Sequence, residues 1–258
     1  MVYNYCNEKG FDILLQSKMR VGQYEGFNDP FELVFRVVDS EEAYHDIERE
    51  YLQYPGIIDE WKELFQIKDE NICDTDIAKI VAERQLINIH SFRKEQEKHW
   101  KETMGILCLS KQYDIIQMWG HYANNHKGIV IGIDESVFGA AIKEVNYKDQ
   151  IVCLHISTIL DEAYYEKCFK EIISQKEPNW SYEKEVRVYV LLKEKDPDGH
   201  YYIELQPSAI KEIYLGLRAD EMTKILANAI REREEYQHLK LYQMKKQDKY
   251  YGLIPEEF

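Results

Sequence analysis

The sequence has 258 residues, of which 45% are hydrophobic and 13% aromatic, including 20 tyrosines. A chain of this composition can bury enough apolar surface to fold, which argues against disorder. The net charge of −14 opposes general nucleic-acid binding, because contact with phosphates depends on Lys and Arg. No apolar run approaches the roughly 20 residues that cross a bilayer, and the first residues show no signal-peptide pattern. We therefore expect a cytoplasmic protein without membrane contact.

The first part of the chain predicts short elements. Val2–Cys6 is β-prone, and Asn7 is predicted to cap a short helix that ends near Lys18. Met19–Val21 is predicted to be extended. Asn28-Asp29-Pro30 indicates a turn, because Asn and Asp side chains bond to the local backbone and Pro fixes φ.

A helical pattern follows from Ser40 to Gly105. It is interrupted by Pro55-Gly56, and Asp74–Met104 is predicted to form one long helix or two. Because β-prone segments flank this stretch, we interpret residues 40–104 as a helical insertion in a single domain of residues 1–258.

After Gly105 the pattern changes to short strands and helices. Strands are predicted at Ile106–Ser110, Gly128–Asp134, Lys143–Tyr147, Glu185–Leu192, His200–Leu205, Lys211–Leu217 and Leu239–Lys245. Helices are predicted at Ser136–Ala141, Ile151–Gln175 and Asp220–Arg233. Apolar and polar residues alternate in Glu185–Leu192, which is typical of a half-buried strand. The turn Asp196-Pro197-Asp198-Gly199 predicts a hairpin between this strand and His200–Leu205.

These elements predict an α+β fold with an antiparallel-rich sheet and an inserted helical block. We expect Tyr3–Cys6, Ile106–Ser110 and Glu185–Leu192 to share one sheet.

Three segments are richer in unusual residues than packing requires. The first is Tyr3-Asn4-Tyr5 with the later Phe27-Asn28-Asp29-Pro30-Phe31-Glu32. The second runs from Cys108-Leu109-Ser110 through Met118-Trp119-Gly120-His121-Tyr122-Ala123 to His126-Lys127-Gly128. The third is Trp180-Ser181-Tyr182-Glu183-Lys184-Glu185-Val186-Arg187. Together, in order from Tyr3 to about Arg233, they resemble domain-of-unknown-function family 2971. This resemblance implies a bacterial or phage origin and brings no activity.

A second resemblance is to ADP-ribosyltransferase-like folds. These use an early strand with His or Arg, a second strand with Ser or Tyr, and a late strand opened by Glu-x-Glu. Tyr3–Tyr5, Cys108–Ser110 and Glu183-Lys184-Glu185 occupy those places in order, with Asn4 where such proteins commonly have His. The resemblance implies an NAD-using ADP-ribosyltransferase or NAD glycohydrolase that acts as a toxin or antiphage effector. NAD would be the substrate, a protein or nucleic acid could be the acceptor, and no metal is expected.

The implied chemistry assigns roles to the motif residues. Cleavage of the nicotinamide–ribose bond develops an oxocarbenium-like cation, which a nearby carboxylate stabilises more than the ground state. Glu185 is predicted to do this, and Glu183, on the same face of an extended chain, to orient or deprotonate an acceptor. Arg187 is predicted to pair with a phosphate. The predicted nucleotide-binding residues are Tyr3, Asn4, Tyr5, Ser110, Trp119, His121, Tyr122 and Arg187.

Other interpretations remain open. Glu183, Glu185 and Arg187 could form a solvent-exposed strand face, in which case replacing Glu185 would change stability little. Trp119 and Tyr122 could be packing residues. A non-catalytic module that binds a ligand or a protein is the main alternative function, and it is favoured by Asn4 in place of His. A metal-dependent nuclease is opposed by the charge of −14.

Overall fold

The computed structural model describes residues 1–37, 45, 56–69, 71–154 and 162–258. The chain forms two compact units. The first comprises Met1–Pro30, Thr103–Tyr147 and Lys176–Phe258, and the second Phe31–Glu102 and Lys148–Gln175. Most of the helical stretch predicted between Ser40 and Pro55 lies outside the described residues. One domain with an insertion at 40–104 therefore stays a prediction.

The described strands and helices are short, with one exception. The strands are β1 (Val2–Cys6), β2 (Lys18–Val21), β3 (Phe35–Val37), β4 (Met104–Ser110), β5 (Ile129–Ile133), β6 (Ile142–Glu144), β7 (Asn146–Tyr147), β8 (Val152–Leu154), β9 (Gln175–Lys176), β10 (Glu185–Leu191), β11 (Tyr201–Glu204), β12 (Ile210–Leu215), β13 (Lys240–Lys246) and β14 (Leu253–Glu257). The helices are α1 (Phe11–Gln16), α2 (Ile57–Leu64), α3 (Asp74–Thr103), α4 (Ile116–His121), α5 (Glu162–Ser174) and α6 (Glu221–Arg231).

The first unit is built on an eight-stranded sheet with the order β14-β13-β12-β5-β1-β4-β10-β6. β12 and β13 run parallel, and the other neighbours in the sheet run antiparallel. The predicted α+β fold with an antiparallel-rich sheet is therefore confirmed.

Alternation along the strands gives this sheet two apolar faces. In β5, Ile129, Ile131 and Ile133 contribute to one core cluster, whereas Val130 contributes to another. The first cluster also contains buried residues of α1 and α6, and the second contains Met118 of α4. Because successive side chains of a strand point to opposite faces, both faces of β5 are covered. All five residues of β5 are buried. The sequence signal of such a strand is a continuous apolar run rather than an alternating pattern.

The three segments predicted to share one sheet are neighbours in it. β4 pairs with β1 on one side and with β10 on the other, which confirms the prediction. Tyr3 lies opposite Ser110, and Ser110 lies opposite Glu185. Since residues directly opposite each other share a face, one row across three strands contains a residue from each of the three motifs.

Two predictions about local structure are wrong. β11 pairs with β2, not with β10. The pairing runs from Tyr201 opposite Val21 to Glu204 opposite Lys18. The turn itself is present, with the Gly199 amide donating to the Asp196 carbonyl. The predicted helix Ile151–Gln175 begins instead as the strand β8, and its helical part is α5.

The second unit combines helices with one pair of strands. β3 and β8 run parallel, and Phe35 on β3 contacts the ring of Trp100, with centroids 5.1 Å apart. The helices α2 and α3 meet in an apolar cluster that includes Trp61 and Ile77, both at most 1% exposed. Within the part of the chain that the structure describes, no helix combines the length and the apolar character needed to span a membrane.

Candidate functional site

The first unit contains a cavity of about 250 Å³ beside β1, β4 and the start of β10. Aromatic rings and charged groups both line it, which is the combination typical of a small-molecule site. The lining residues are Tyr3, Asn4, Tyr5, Gly26, Phe27, Asn28, Cys108, Leu109, Met118, Tyr122, Lys176, Glu183 and Glu185.

A buried ionic cluster forms part of the cavity wall. The Lys176 Nζ donates to Glu183 Oε2 at 2.7 Å and to Glu185 Oε2 at 2.9 Å. Arg187 Nε donates to Glu185 Oε1 at 2.8 Å. Glu183, Glu185 and Arg187 are 3%, 5% and 0% exposed, respectively. Two carboxylates and two cations thus neutralise each other where water is largely excluded, as buried charges require.

The cluster keeps Glu185 and Lys176 charged. Burial alone would raise the pKa of Glu185, but Arg187 and Lys176 outweigh it and hold this pKa below the ordinary value of 4.5. Burial alone would lower the pKa of Lys176, but the two carboxylates raise it above its ordinary value of 10.5. Glu185 is therefore a carboxylate and Lys176 an ammonium group at neutral pH.

The chain between Glu183 and Glu185 is not extended. Glu183 ends a 3-10 turn, Pro178–Glu183, and Lys184 has a left-handed conformation with φ 47° before β10 begins. The prediction that Glu183 belongs to the same extended chain as Glu185 and Arg187 is therefore wrong, whereas Glu185 and Arg187 do lie in β10. Ser110 holds the turn in place, because its hydroxyl donates to the Glu183 carbonyl at 2.7 Å. Two oxygens bonded to one ammonium nitrogen cannot be more than about 6 Å apart, so the carboxylates are close.

Tyr122 connects the ionic cluster to the loop after β2. Its hydroxyl donates to Glu183 Oε1 at 2.6 Å and accepts from Asn28 Nδ2 at 2.8 Å. Burial, followed by the hydrogen bond to Glu183, raises the pKa of Tyr122. The phenol therefore stays protonated, and its single O–H donates to Glu183.

Six of the ten predicted site residues line this cavity. They are Tyr3, Asn4, Tyr5, Tyr122, Glu183 and Glu185. The other four do not appear in its lining. Ser110 and Trp119 are both 0% exposed, and the Trp119 Nε1 donates to the Tyr113 carbonyl. His121 is exposed at the end of α4.

Arg187 requires a correction. Its side chain is fully buried and bonded to Glu185, so it is not placed to pair with the phosphate of a ligand. The interpretation of Glu183, Glu185 and Arg187 as a solvent-exposed face is also wrong, because all three are buried. The expectation that replacing Glu185 changes stability little assumed an exposed side chain, and because Glu185 is buried in ion pairs we expect a larger effect.

Lys176 is a charged site residue that the sequence did not reveal. It lies in β9, immediately after α5 and outside the three motifs, and its ammonium group also lies 4.9 Å from the centre of the Trp180 ring. A lysine at the end of a helix is ordinarily solvated, so its type and position carried no signal of burial. Only the fold brings it to the glutamates.

A family model described as Protein of unknown function (DUF2971) matches residues 118–188, less than half of the chain. This match confirms the resemblance to that family over these residues. Tyr122, Lys176, Glu183 and Glu185 all fall within the matched range. No curated protein and no solved structure matches the chain.

Proposed function

We propose that the cavity binds the nicotinamide–ribose part of NAD and that the protein cleaves the bond between them, as an NAD glycohydrolase or an ADP-ribosyltransferase. One observation carries the proposal: the buried carboxylates of Glu183 and Glu185 line the same small cavity as three tyrosines. The setting would be a bacterial toxin or antiphage effector. The adjacency of β1, β4 and β10 supports the proposal, because an ADP-ribosyltransferase-like site needs its three motifs on one sheet.

The reaction requires stabilisation of positive charge. As the C–N bond breaks, its electron pair leaves with neutral nicotinamide and the ribose becomes oxocarbenium-like. Water or another acceptor then adds to the ribose carbon and releases a proton. A fixed carboxylate in a site with little water stabilises this cation strongly, because a low dielectric strengthens the interaction.

The geometry favours Glu183 for this role. Glu185 is bonded to both Lys176 and Arg187, so its negative charge is offset by two cations. Glu183 is bonded to one cation, Lys176, and to the neutral phenol of Tyr122. More of its charge is available to a ligand. We therefore assign charge stabilisation to Glu183, whereas the sequence analysis assigned it to Glu185. Glu185 is assigned the role of positioning Lys176.

The aromatic lining suits the substrate. The nicotinamide ring of NAD is a cation, and Tyr3, Phe27 and Tyr122 offer rings that attract cations through their faces. A cavity of about 250 Å³ is below the usual range for a whole drug-sized ligand. It suits the nicotinamide and ribose, with the adenylate end outside.

A non-catalytic ligand-binding module is the second candidate. It is favoured by the ion pairs of both carboxylates, because a catalytic carboxylate must act on the substrate and not only on Lys176. In this case the cluster stabilises the fold of the site, and the cavity binds its ligand without changing it.

Two measurements on the full-length protein separate these functions. Calorimetric titration with NAD reports binding, and chromatography of a NAD incubation reports released nicotinamide. Binding with release supports the enzyme, and binding without release supports the module. No heat of binding at millimolar NAD, together with no release, would exclude both for this ligand.

A further inference from the structure

Four tyrosines pack together on the sheet of the first unit, and three of them are stacked with nearly parallel rings. The Tyr113 and Tyr214 rings are nearly parallel, with centroids 4.4 Å apart. Tyr242 continues the stack, 4.9 Å from Tyr214 and also nearly parallel to it. Tyr3 meets Tyr113 edge to face at 5.4 Å. Tyr214, between Tyr113 and Tyr242, is 4% exposed, whereas Tyr3, Tyr113 and Tyr242 are half-buried. We call these four residues the tyrosine stack.

The sheet positions this stack through one glycine. Gly132 on β5 lies opposite Tyr3 on one side and Glu212 on the other. A Cβ atom at Gly132 would lie 3.2 Å from the Tyr3 ring and 3.1 Å from the Glu212 carboxylate. The missing side chain therefore gives both groups room above β5. Glu212 Oε2 accepts from the Tyr214 hydroxyl at 2.8 Å, which fixes the carboxylate beside the rings.

Carboxylates surround the stack. Burial first, and then nearby negative charges, raise the pKa values of Tyr113 and Tyr242. Asp114 and Glu212 act on Tyr113. Glu257, directly opposite Tyr242 on β14, acts on Tyr242 together with Glu212. Asp114 and Glu257 are exposed, whereas Tyr113 and Tyr242 are half-buried. The surface thus offers neutral aromatic rings with negative charge at their edges.

We propose that the tyrosine stack is a docking surface for an arginine-bearing segment of a partner protein. Charge complementarity argues for this occupant, because a guanidinium group packs against aromatic rings and pairs with carboxylates in a planar geometry. Here the half-buried rings of Tyr113 and Tyr242 lie beside the exposed residues Asp114 and Glu257. The chain's net charge of −14 would also accelerate the approach of a basic partner. The proposal does not depend on NAD chemistry.

The test uses the full-length protein and a fluorescein-labelled peptide with four arginines separated by glycine and serine. A matched peptide carries citrulline, which keeps the shape of arginine without its charge. Fluorescence anisotropy at low salt gives the affinities. The variants Tyr113→Leu, Tyr242→Leu and Glu257→Gln each remove one component of the surface. Glu256→Gln is the control for overall charge, because Glu256 lies opposite Gln243, its side chain points to the other face of β14, and it pairs with Lys245 at 3.3 Å.

We expect the arginine peptide to bind and the citrulline peptide not to bind. Each of the three surface variants should weaken binding about three- to fivefold, whereas Glu256→Gln should leave it unchanged. Equal binding of the two peptides, or no binding of either, would overturn the proposal. Equal weakening by Glu257→Gln and Glu256→Gln would also overturn it, because it would indicate attraction by overall charge. If a tyrosine variant unfolds, the comparison of Glu257→Gln with Glu256→Gln still tests the proposal.

Discussion

Glu185 accepts hydrogen bonds from two cations, and its side chain is almost completely removed from water. Such a group differs in kind from an exposed strand carboxylate, because removing its charge leaves Lys176 and Arg187 buried without full compensation. Breaking a buried ion pair by removing one partner costs about 3–5 kcal/mol, whereas an exposed pair contributes about 1 kcal/mol or less.

The variant Glu185→Gln should therefore lower the free energy of unfolding by about 3 kcal/mol. Glu135→Gln is the control, since Glu135 pairs with Lys111 at 2.7 Å on the exposed surface and should cost less than about 1 kcal/mol. Urea unfolding of both variants checks the difference. Similar costs would show that the buried cluster contributes no more than a surface pair.

The pH dependence follows from the lowered pKa of Glu185. Because the folded pKa is below the unfolded one, the ion pairs of Glu185 contribute stability above the ordinary value of 4.5. That contribution is lost as the pH falls through the folded pKa. Wild type should thus lose stability below about pH 5 more steeply than Glu185→Gln, measured by urea unfolding at a series of pH values. Parallel curves would contradict this assignment.

Individual site residues could be predicted only where a motif marked them. Tyr3, Tyr5, Tyr122, Glu183 and Glu185 belong to motifs, and the fold brings all of them to the cavity. Burial could not be predicted, because a charged residue in an alternating strand is ordinarily exposed. The burial of a charged residue depends on its partners, which local sequence does not show. Lys176 is such a partner, because it lies outside the three motifs and pairs with both glutamates.

At the scale of elements, the loop between α4 and β5 has a constrained backbone. Asn124, Asn125 and His126 are three consecutive non-glycine residues with positive φ, from 46° to 68°. The His126 carbonyl accepts from the Arg218 amide, and the Gly128 amide donates to the Ala123 carbonyl. Left-handed conformations of this kind are unfavourable for most residues and persist when the surroundings fix them.

Gly128 is the position where this loop tolerates no side chain. A Cβ atom there would lie 2.2 Å from the Cys6 carbonyl oxygen, which belongs to the backbone and cannot move away easily. We expect Gly128→Ala to lower the free energy of unfolding by about 3 kcal/mol. Gly120→Ala in α4 is the matched control, because nothing lies within 4 Å of its Cβ position. Alanine there should raise stability by up to about 1 kcal/mol. Thermal unfolding of both variants tests this, and equal effects would contradict it.

Most elements were predictable from local pattern, but strand partners were not. The alternating run at β10 and the turn after it favoured a local hairpin, yet β11 pairs with β2. Strand pairing depends on which edge is free once the sheet has formed, and that is decided by contacts distant in the chain. The start of α5 was also misassigned, since a short apolar run fits a strand and a helix equally well.

At the scale of the whole first unit, the order of strands creates the candidate site. β1, β4 and β10 are far apart in sequence and adjacent in the sheet, so one row contains Tyr3, Ser110 and Glu185. The shared sheet was predictable from the order of the motifs. The size of the cavity and the pairing of its carboxylates with Lys176 could not be predicted from the sequence, because both depend on packing between elements that are distant in the chain.

The central claim is that Glu183 stabilises the cation formed when NAD loses nicotinamide. The most direct test is the rate of nicotinamide release by wild type and by Glu183→Gln, with thermal unfolding to verify that the variant is folded. Glutamine keeps the shape and the hydrogen bonding but removes the charge. We predict that wild type releases nicotinamide and that the variant is slower by on the order of a hundredfold, with NAD affinity little changed. An equal rate in a folded Glu183→Gln variant, or no release by wild type, would contradict the claim.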